Sequence, residues 1–309
     1  MDSIFLRLVS GLILYVTGIV ANCLSLSYFI TRQNKGLGNR LLMLLNVLDL
    51  LVCVTSVTTA IPWHVLLYWS TKDKTAWIFY SISVFVYAPL FECTGFTTCL
   101  VSVTRTIKVC RPFYSIRGFW IGIVFTLYVV CIYTREFIFC YLVKIRPVED
   151  TDNVLKYYSA FVNSGTTLYI IVVVLSSLIA AYWLLRENKS DIRGRQSECN
   201  RQATITILIL SVTFCLVNAT FISAGVMAFC IRTDVFEDST YLRTYREIVF
   251  TVAQCLNSAI NPMIYLTRKK DMRKFLSETW RNVVDKLSKS RAEPDFELRV
   301  RGSDVHPIN

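Results

Sequence analysis

The residues able to do chemistry in this chain stand in apolar surroundings. Asn257, Ser258, Asn261, Pro262 and Tyr265 fall within one apolar run that opens near Tyr245 and stops at Arg268, Lys269 and Lys270. Asn257 and Asn261 are four apart, so a helix turns both amides to one side, roughly toward Ser258 as well. Pro262 has no amide hydrogen to donate and crowds the preceding turn, so it should kink or loosen that helix. Asp49 and Glu92 lie in two further apolar runs, and Arg105 stands near the end of the second. Inside hydrocarbon such groups need partners or a wet cavity, and a charge at mid-membrane costs about 2.5–3.5 kcal/mol on insertion scales. Bond-making chemistry has no footing here. No HExxH, paired aspartates or serine–histidine set occurs, and only two histidines exist, one of them near the C-terminus. The chain reads as something other than an enzyme.

The elements that hold these residues are long and apolar. The chain has 309 residues, 54% of them hydrophobic, a mean hydropathy of +0.47 and a formal charge of +11. A soluble domain of this length would carry more charge and would not need such runs. Seven stretches, near 5–30, 41–68, 77–104, 119–144, 158–185, 202–231 and 245–267, reach the roughly 20 residues that a spanning helix needs. The first is too long for a secretory leader and is read as an uncleaved span. The eleven cysteines are scattered, mostly within apolar runs and without metal-ligand spacing, and read as small packing residues. No internal repeat is evident, which weighs against the repeat-built transporters.

Lysine and arginine set the orientation. The first, third and fifth loops carry Arg32, Lys35 and Arg40, then Lys108, Arg111 and Arg117, then Arg186, Lys189, Arg193, Arg195 and Arg201. The alternate loops balance fewer bases with Asp73, Glu149, Asp150 and Asp152. The N-terminus is therefore expected outside and the C-terminus in the cytosol. The basic surplus points to lipid headgroups rather than to nucleic acid. After Arg268, the residues Met272, Phe275, Leu276, Val283, Val284 and Leu287 recur at helical spacing, with Lys269, Lys270, Arg273, Lys274 and Lys286 on other faces. This predicts an amphipathic helix on the inner membrane surface over 268–287, followed by a mobile polar tail over 288–309. The expected fold is all-α: a seven-transmembrane helix bundle over 1–267 with a cytosolic amphipathic eighth helix.

Four groups of residues then line up in order: Gly18 and Asn22; Asn46 and Asp49; Thr104, Arg105, Thr106, Pro112 and Phe113; Asn261-Pro262-x-x-Tyr265. In order, depth and spacing the chain resembles the rhodopsin-like (class A) family of G-protein-coupled receptors over roughly residues 5–285. It is similar to a divergent member, of invertebrate peptide- or chemosensory-receptor type. The resemblance implies a plasma-membrane receptor that binds an extracellular ligand and activates a heterotrimeric G protein, with no obligatory cofactor. It also implies that Asn22, Thr94, Asn257, Ser258 and Asn261 surround Asp49. In the family this pocket often holds a sodium ion and water, and oxygen ligands suit such a hard cation. The plainer reading is a hydrated polar knot that packs helices.

For activation and coupling, the resemblance assigns Arg105, Pro112, Phe113, Glu198, Pro262 and Tyr265. The acid that precedes the family's arginine is replaced by Thr104, and Thr106 stands where an aromatic is usual. Threonine offers a hydrogen bond but no charge. Glu198 matches the other resting partner of that arginine, so an Arg105–Glu198 pair would close the cytosolic side, unless Arg105 merely snorkels to the interface. Phe113, rimmed by Arg111 and Arg117, matches a residue that enters the G protein, or it simply dips into lipid.

On the ligand side, Tyr87, Phe91, Glu92, Arg135, Asn163, Glu247 and Gln254 are the candidates, with Trp63, His64 and Glu136 nearby. An acid among aromatics suits a cationic or amide-rich ligand, a short peptide or small amide first and an environmental small molecule second. Alternatively Glu92 only neutralises Arg135. Tyr87 stands where amine receptors carry aspartate, and Cys255 where opsins carry the retinal lysine. Tyr80 replaces the outer cysteine, the loop near 145–157 has none, the fifth segment lacks its proline, and Leu216 and Asn218 replace the sixth segment's tryptophan and proline. A transporter or channel is the remaining reading. It would need a continuous polar path or paired broken helices, and neither stands out.

Overall fold

A computed structural model describes residues 2–31, 36–60, 83–111, 114, 116–145, 148–187, 195–232, 256–265, 267 and 270–292. Among them there is no strand. The elements are α1 (Asp2–Thr31), α2 (Leu37–Thr55), α3 (Ala88–Cys110), α4 (Gly118–Ile145), α5 (Val148–Glu187), α6 (Arg195–Arg232), α7 (256–265) and α8 (Lys270–Ala292). Wider, π-type turns extend α2 through Ser56–Ala60 and lead into α3 through Ser83–Tyr87. Such turns are rare and often sit at functional sites.

Among the described residues, five helices are long and apolar enough to cross a membrane: Gly11–Thr31, Leu37–Thr58, Phe85–Cys110, Gly118–Leu142 and Ser164–Trp183. The chain is thus a multi-pass, all-helical membrane protein. Within α6 the apolar stretch is the shorter Leu208–Thr220. Of the segment expected over 245–267, only 256–265 and 267 are described. The outward faces of α4 and α5 carry Phe119, Leu127, Phe137, Phe161, Leu168 and Leu178, each more than half exposed. In water that would be an exceptional apolar surface; in a bilayer it is the face the solvent requires.

Two boundaries depart from the sequence reading. Residues 148–157, expected as part of a loop, already belong to α5. Pro147 precedes this start and Glu149, Asp150 and Asp152 follow it, which is the composition that favours a helix N-terminus. The last helix runs to Ala292, five residues past the expected end at 287.

Close packing ties the spans together. A side chain at Gly18 would bring a Cβ to 2.7 Å from Cys53 Sγ, so α1 meets α2 where only hydrogen fits. At one end of the bundle Tyr28, Phe29, Leu41, Val101, Leu210 and Tyr265 share a core with Met272. Met272 is fully buried, and Phe275 meets Tyr28 edge-on at 5.7 Å. The start of α8 is therefore docked on α1. Further along, Trp280, Val283 and Val284 are exposed.

Candidate functional site

The first site is a polar knot around Asp49. Asp49 is fully buried on α2, and Asn261 Nδ2 donates to its Oδ2 at 2.9 Å. Asn22 Nδ2 donates both to Gly18 O of its own helix, at 2.9 Å, and to Ser258 O at 3.0 Å. One amide thus ties α1 to α7 and another ties α2 to α7. The helical backbone runs from 256 to 265, on both sides of Pro262, and turns Asn257, Ser258, Asn261 and Tyr265 all into buried surroundings. Tyr265 packs edge-on against Phe29 at 6.2 Å. Asn22 Oδ1, Ser25 Oγ, Asn46 Oδ1, Asp49 Oδ1 and Tyr265 OH are buried without a hydrogen-bond partner among the described residues. Buried acceptors left unmatched cost free energy that water or a cation would recover. A carboxylate oxygen beside neutral oxygens is also the donor chemistry that suits a hard cation. Thr94 belongs to this group by sequence and is buried, but its hydroxyl is taken by its own helix, through Leu90 O at 3.0 Å and Phe91 O at 2.8 Å.

The second site is an ion cluster between α3 and α4. Arg135 Nη1 reaches Glu92 Oε2 at 2.9 Å and Nη2 reaches Glu92 Oε1 at 2.5 Å, a fork-on-fork pair. Arg135 Nε also donates to Glu136 Oε1 at 3.0 Å, and its guanidinium lies 5.8 Å from the ring centre of Phe161 on α5. Glu136 is fully buried. The pairing of Glu92 with Arg135 was one of the two readings the sequence left open; that Glu136 shares the same guanidinium was not read from it.

The remaining ligand candidates divide. Tyr87 and Phe91 stack at 6.4 Å, Tyr87 OH lies 3.3 Å from Tyr15 OH on α1, and Phe91 packs with Val217 and Leu256. They therefore face α1, α6 and α7, whereas Glu92 faces α4. Asn163 lies on α5, but its side chain is outside the described residues, as are Trp63, His64, Glu247 and Gln254.

Of the coupling residues, Arg105 is half-buried near the end of α3. Thr104 Oγ1 donates back to Val101 O at 3.1 Å, and Tyr182 on α5 is 62% exposed. Glu198 lies on α6 with its side chain outside the described residues, and Pro112 and Phe113 are wholly outside them. Sequence reasoning missed a contact beside Arg105. Ser102 Oγ and Ser176 Oγ are 2.6 Å apart, and Thr106 Oγ1 donates to Ser176 O at 2.8 Å. The signal was present as hydroxyls every fourth residue, at Thr94, Thr98, Ser102 and Thr106.

No protein-family model matches the chain, and no curated protein sequence matches it.

Proposed function

We propose that the chain is a seven-span receptor of the rhodopsin-like kind that binds an extracellular ligand and activates a heterotrimeric G protein. One observation carries this reading. The polar residues of α1, α2 and α7 singled out by their order in the sequence meet in one buried knot, with Asn261 bonded to Asp49 at 2.9 Å. A helix pair held by a few polar contacts, with unmatched oxygens around them, can trade partners as it shifts.

In this reading the protein sits in the plasma membrane with its N-terminus outside, and α8 lies on the inner surface. Asp49 and the neighbouring amide and hydroxyl oxygens hold a sodium ion in the resting state. An Arg105–Glu198 pair closes the cytosolic side, and Phe113 anchors the G protein. A peptide or small amide that binds the open state better than the closed one shifts the balance between them, and the G protein strengthens its binding in return. Tyr265 then turns toward Arg105 to brace it.

The test is nucleotide exchange on a panel of purified G proteins by the receptor in nanodiscs, with a peptide library as the agonist source. Exchange that Arg105→Ala abolishes supports the reading. Solute flux through the protein in liposomes, with no exchange on any G protein, would point to a transporter instead.

A further inference from the structure

The seam between α3 and α5 is built from small residues and closed by hydroxyls. A Cβ at Gly95 would stand 3.2 Å from the ring of Tyr169, and Cys99 Sγ donates to Tyr169 O at 3.5 Å. Further along come the Ser102–Ser176 and Thr106–Ser176 contacts, so residue numbers rise together on both helices and the two run parallel. The protons can be followed. Ser176 Oγ donates to Val173 O at 3.0 Å, so Ser102 supplies the proton of the 2.6 Å contact. Thr106 divides its proton between Ser102 O, at 3.0 Å, and Ser176 O. All three side chains are buried. A slide of α5 by one turn would break both interhelical bonds at once.

Thr106 is the neighbour of Arg105 in the chain, and on the other side Thr104 bonds, among the described residues, within its own turn at Val101 O. We propose that Ser102, Thr106 and Ser176 form a hydroxyl clasp that holds α5 in register with α3 and so restrains the Arg105 end of the bundle in the absence of ligand. These are positioning residues, and their role rests on the receptor reading above. The clasp supplies by hydrogen bonding part of the restraint that a threonine before Arg105 cannot supply by charge.

The experiment has two arms on the full chain in nanodiscs. In the first, agonist-independent nucleotide exchange is compared between the unaltered chain, Thr106→Val, Ser176→Ala and Arg105→Ala. Thr106→Val keeps the shape and removes one interhelical donor, and an interhelical hydrogen bond of average strength in a membrane corresponds to about a threefold rise. Thr97→Val is the control, because among the described residues that hydroxyl bonds to Cys93 O of its own helix alone, at 2.7 Å; it leaves exchange unchanged. In the second arm, Ser102→Cys with Ser176→Cys is oxidised and the disulfide identified by mass spectrometry. The bond is expected to form and to lower exchange to or below the unaltered level, with reductant restoring it. Exchange that depends on Arg105 but is the same in Thr106→Val, Ser176→Ala and the unaltered chain overturns the clasp and leaves the receptor standing. Absence of Arg105-dependent exchange overturns the receptor reading and the restraint with it, while the disulfide still reports the register. Failure of the disulfide to form overturns the clasp by geometry alone.

Discussion

Two buried acids of this bundle are handled in opposite ways. Glu92 receives both arms of the Arg135 guanidinium, and the same cation also serves Glu136. Asp49 receives one amide hydrogen, from Asn261, and its second oxygen has no partner among the described residues. Each arrangement answers the same penalty for placing charge in hydrocarbon. The first answers it with a fixed opposite charge, which permits one geometry and no other. The second leaves acceptor capacity for something small to enter and leave. The contrast separates a brace between α3 and α4 from a seat between α1, α2 and α7, and it explains why similar residue types, at similar depth, are read as having different work.

The largest effect should come from cutting the brace. Arg135→Ala leaves the nearly buried Glu92 without its paired cation and takes one partner from the fully buried Glu136. Removing one partner of a buried pair costs about 3–5 kcal/mol. Thermal unfolding in detergent, together with the yield of folded protein, checks this, and Glu92→Gln with Arg135→Met should recover much of the loss because no carboxylate of Glu92 is then left facing a missing cation. If Arg135→Ala melts like the unaltered chain, the cluster is not a brace, and Glu92 returns as a ligand-binding candidate.

That contrast also marks how far the sequence could be read. The all-helical, multi-pass fold was legible, because apolar runs of spanning length leave the backbone no alternative to helix. That isolated polar groups in such runs need partners was legible too, but which residues keep Asp49 company came only from the family resemblance; the structure bonds Asn261 to Asp49 and Asn22 to Ser258. The pairing of Glu92 with Arg135 was legible as one of two options. Sequence could not choose, because the choice depends on the rotation of α3 about its axis. The same rotation sends Tyr87 and Phe91 toward α1 and α7, away from Glu92, so the ligand candidates do not form one group among the described residues. The Ser102–Ser176 contact escaped notice because serine and threonine in a membrane helix usually bond their own preceding turn, as Thr97 and Thr98 do here.

Next in size is the link between the seat and α7. Asn261→Ala removes the amide that donates to Asp49 Oδ2 from a fully buried carboxyl group. Hydrogen bonds to charged groups are worth about 1.5–3 kcal/mol, so the melting point should fall clearly, though by less than in Arg135→Ala. Equal losses in the two variants would erase the distinction between brace and seat. A smaller, purely steric effect is expected where α1 meets α2. Gly18→Ala crowds Cys53 Sγ and should cost about 1–3 kcal/mol, and adding Cys53→Ala should relieve it. If Cys53→Ala gives no relief, some other contact sets the approach of these helices.

The smallest change in stability, and the most informative, is expected from Asp49→Asn. The carboxamide keeps an oxygen for Asn261 Nδ2 and occupies the same volume, so the tie between α2 and α7 survives while the buried charge disappears. Relief of the desolvation penalty offsets loss of the charge-assisted bond, so stability should change by under about 1 kcal/mol and the melting point should move little. What should vanish is a response to sodium. A cation bound only by the folded protein stabilises it by about 1.4 kcal/mol at ten times its dissociation constant. The unaltered chain should therefore melt higher in sodium chloride than in choline chloride at equal ionic strength, and Asp49→Asn should melt alike in both. If the unaltered chain also melts alike, the oxygens around Asp49 serve water alone. If both forms respond to sodium, the ion is held elsewhere. Only a response confined to the aspartate makes the weakly bonded acid a seat for a charge that comes and goes, in contrast to the tightly bonded Glu92 on α3.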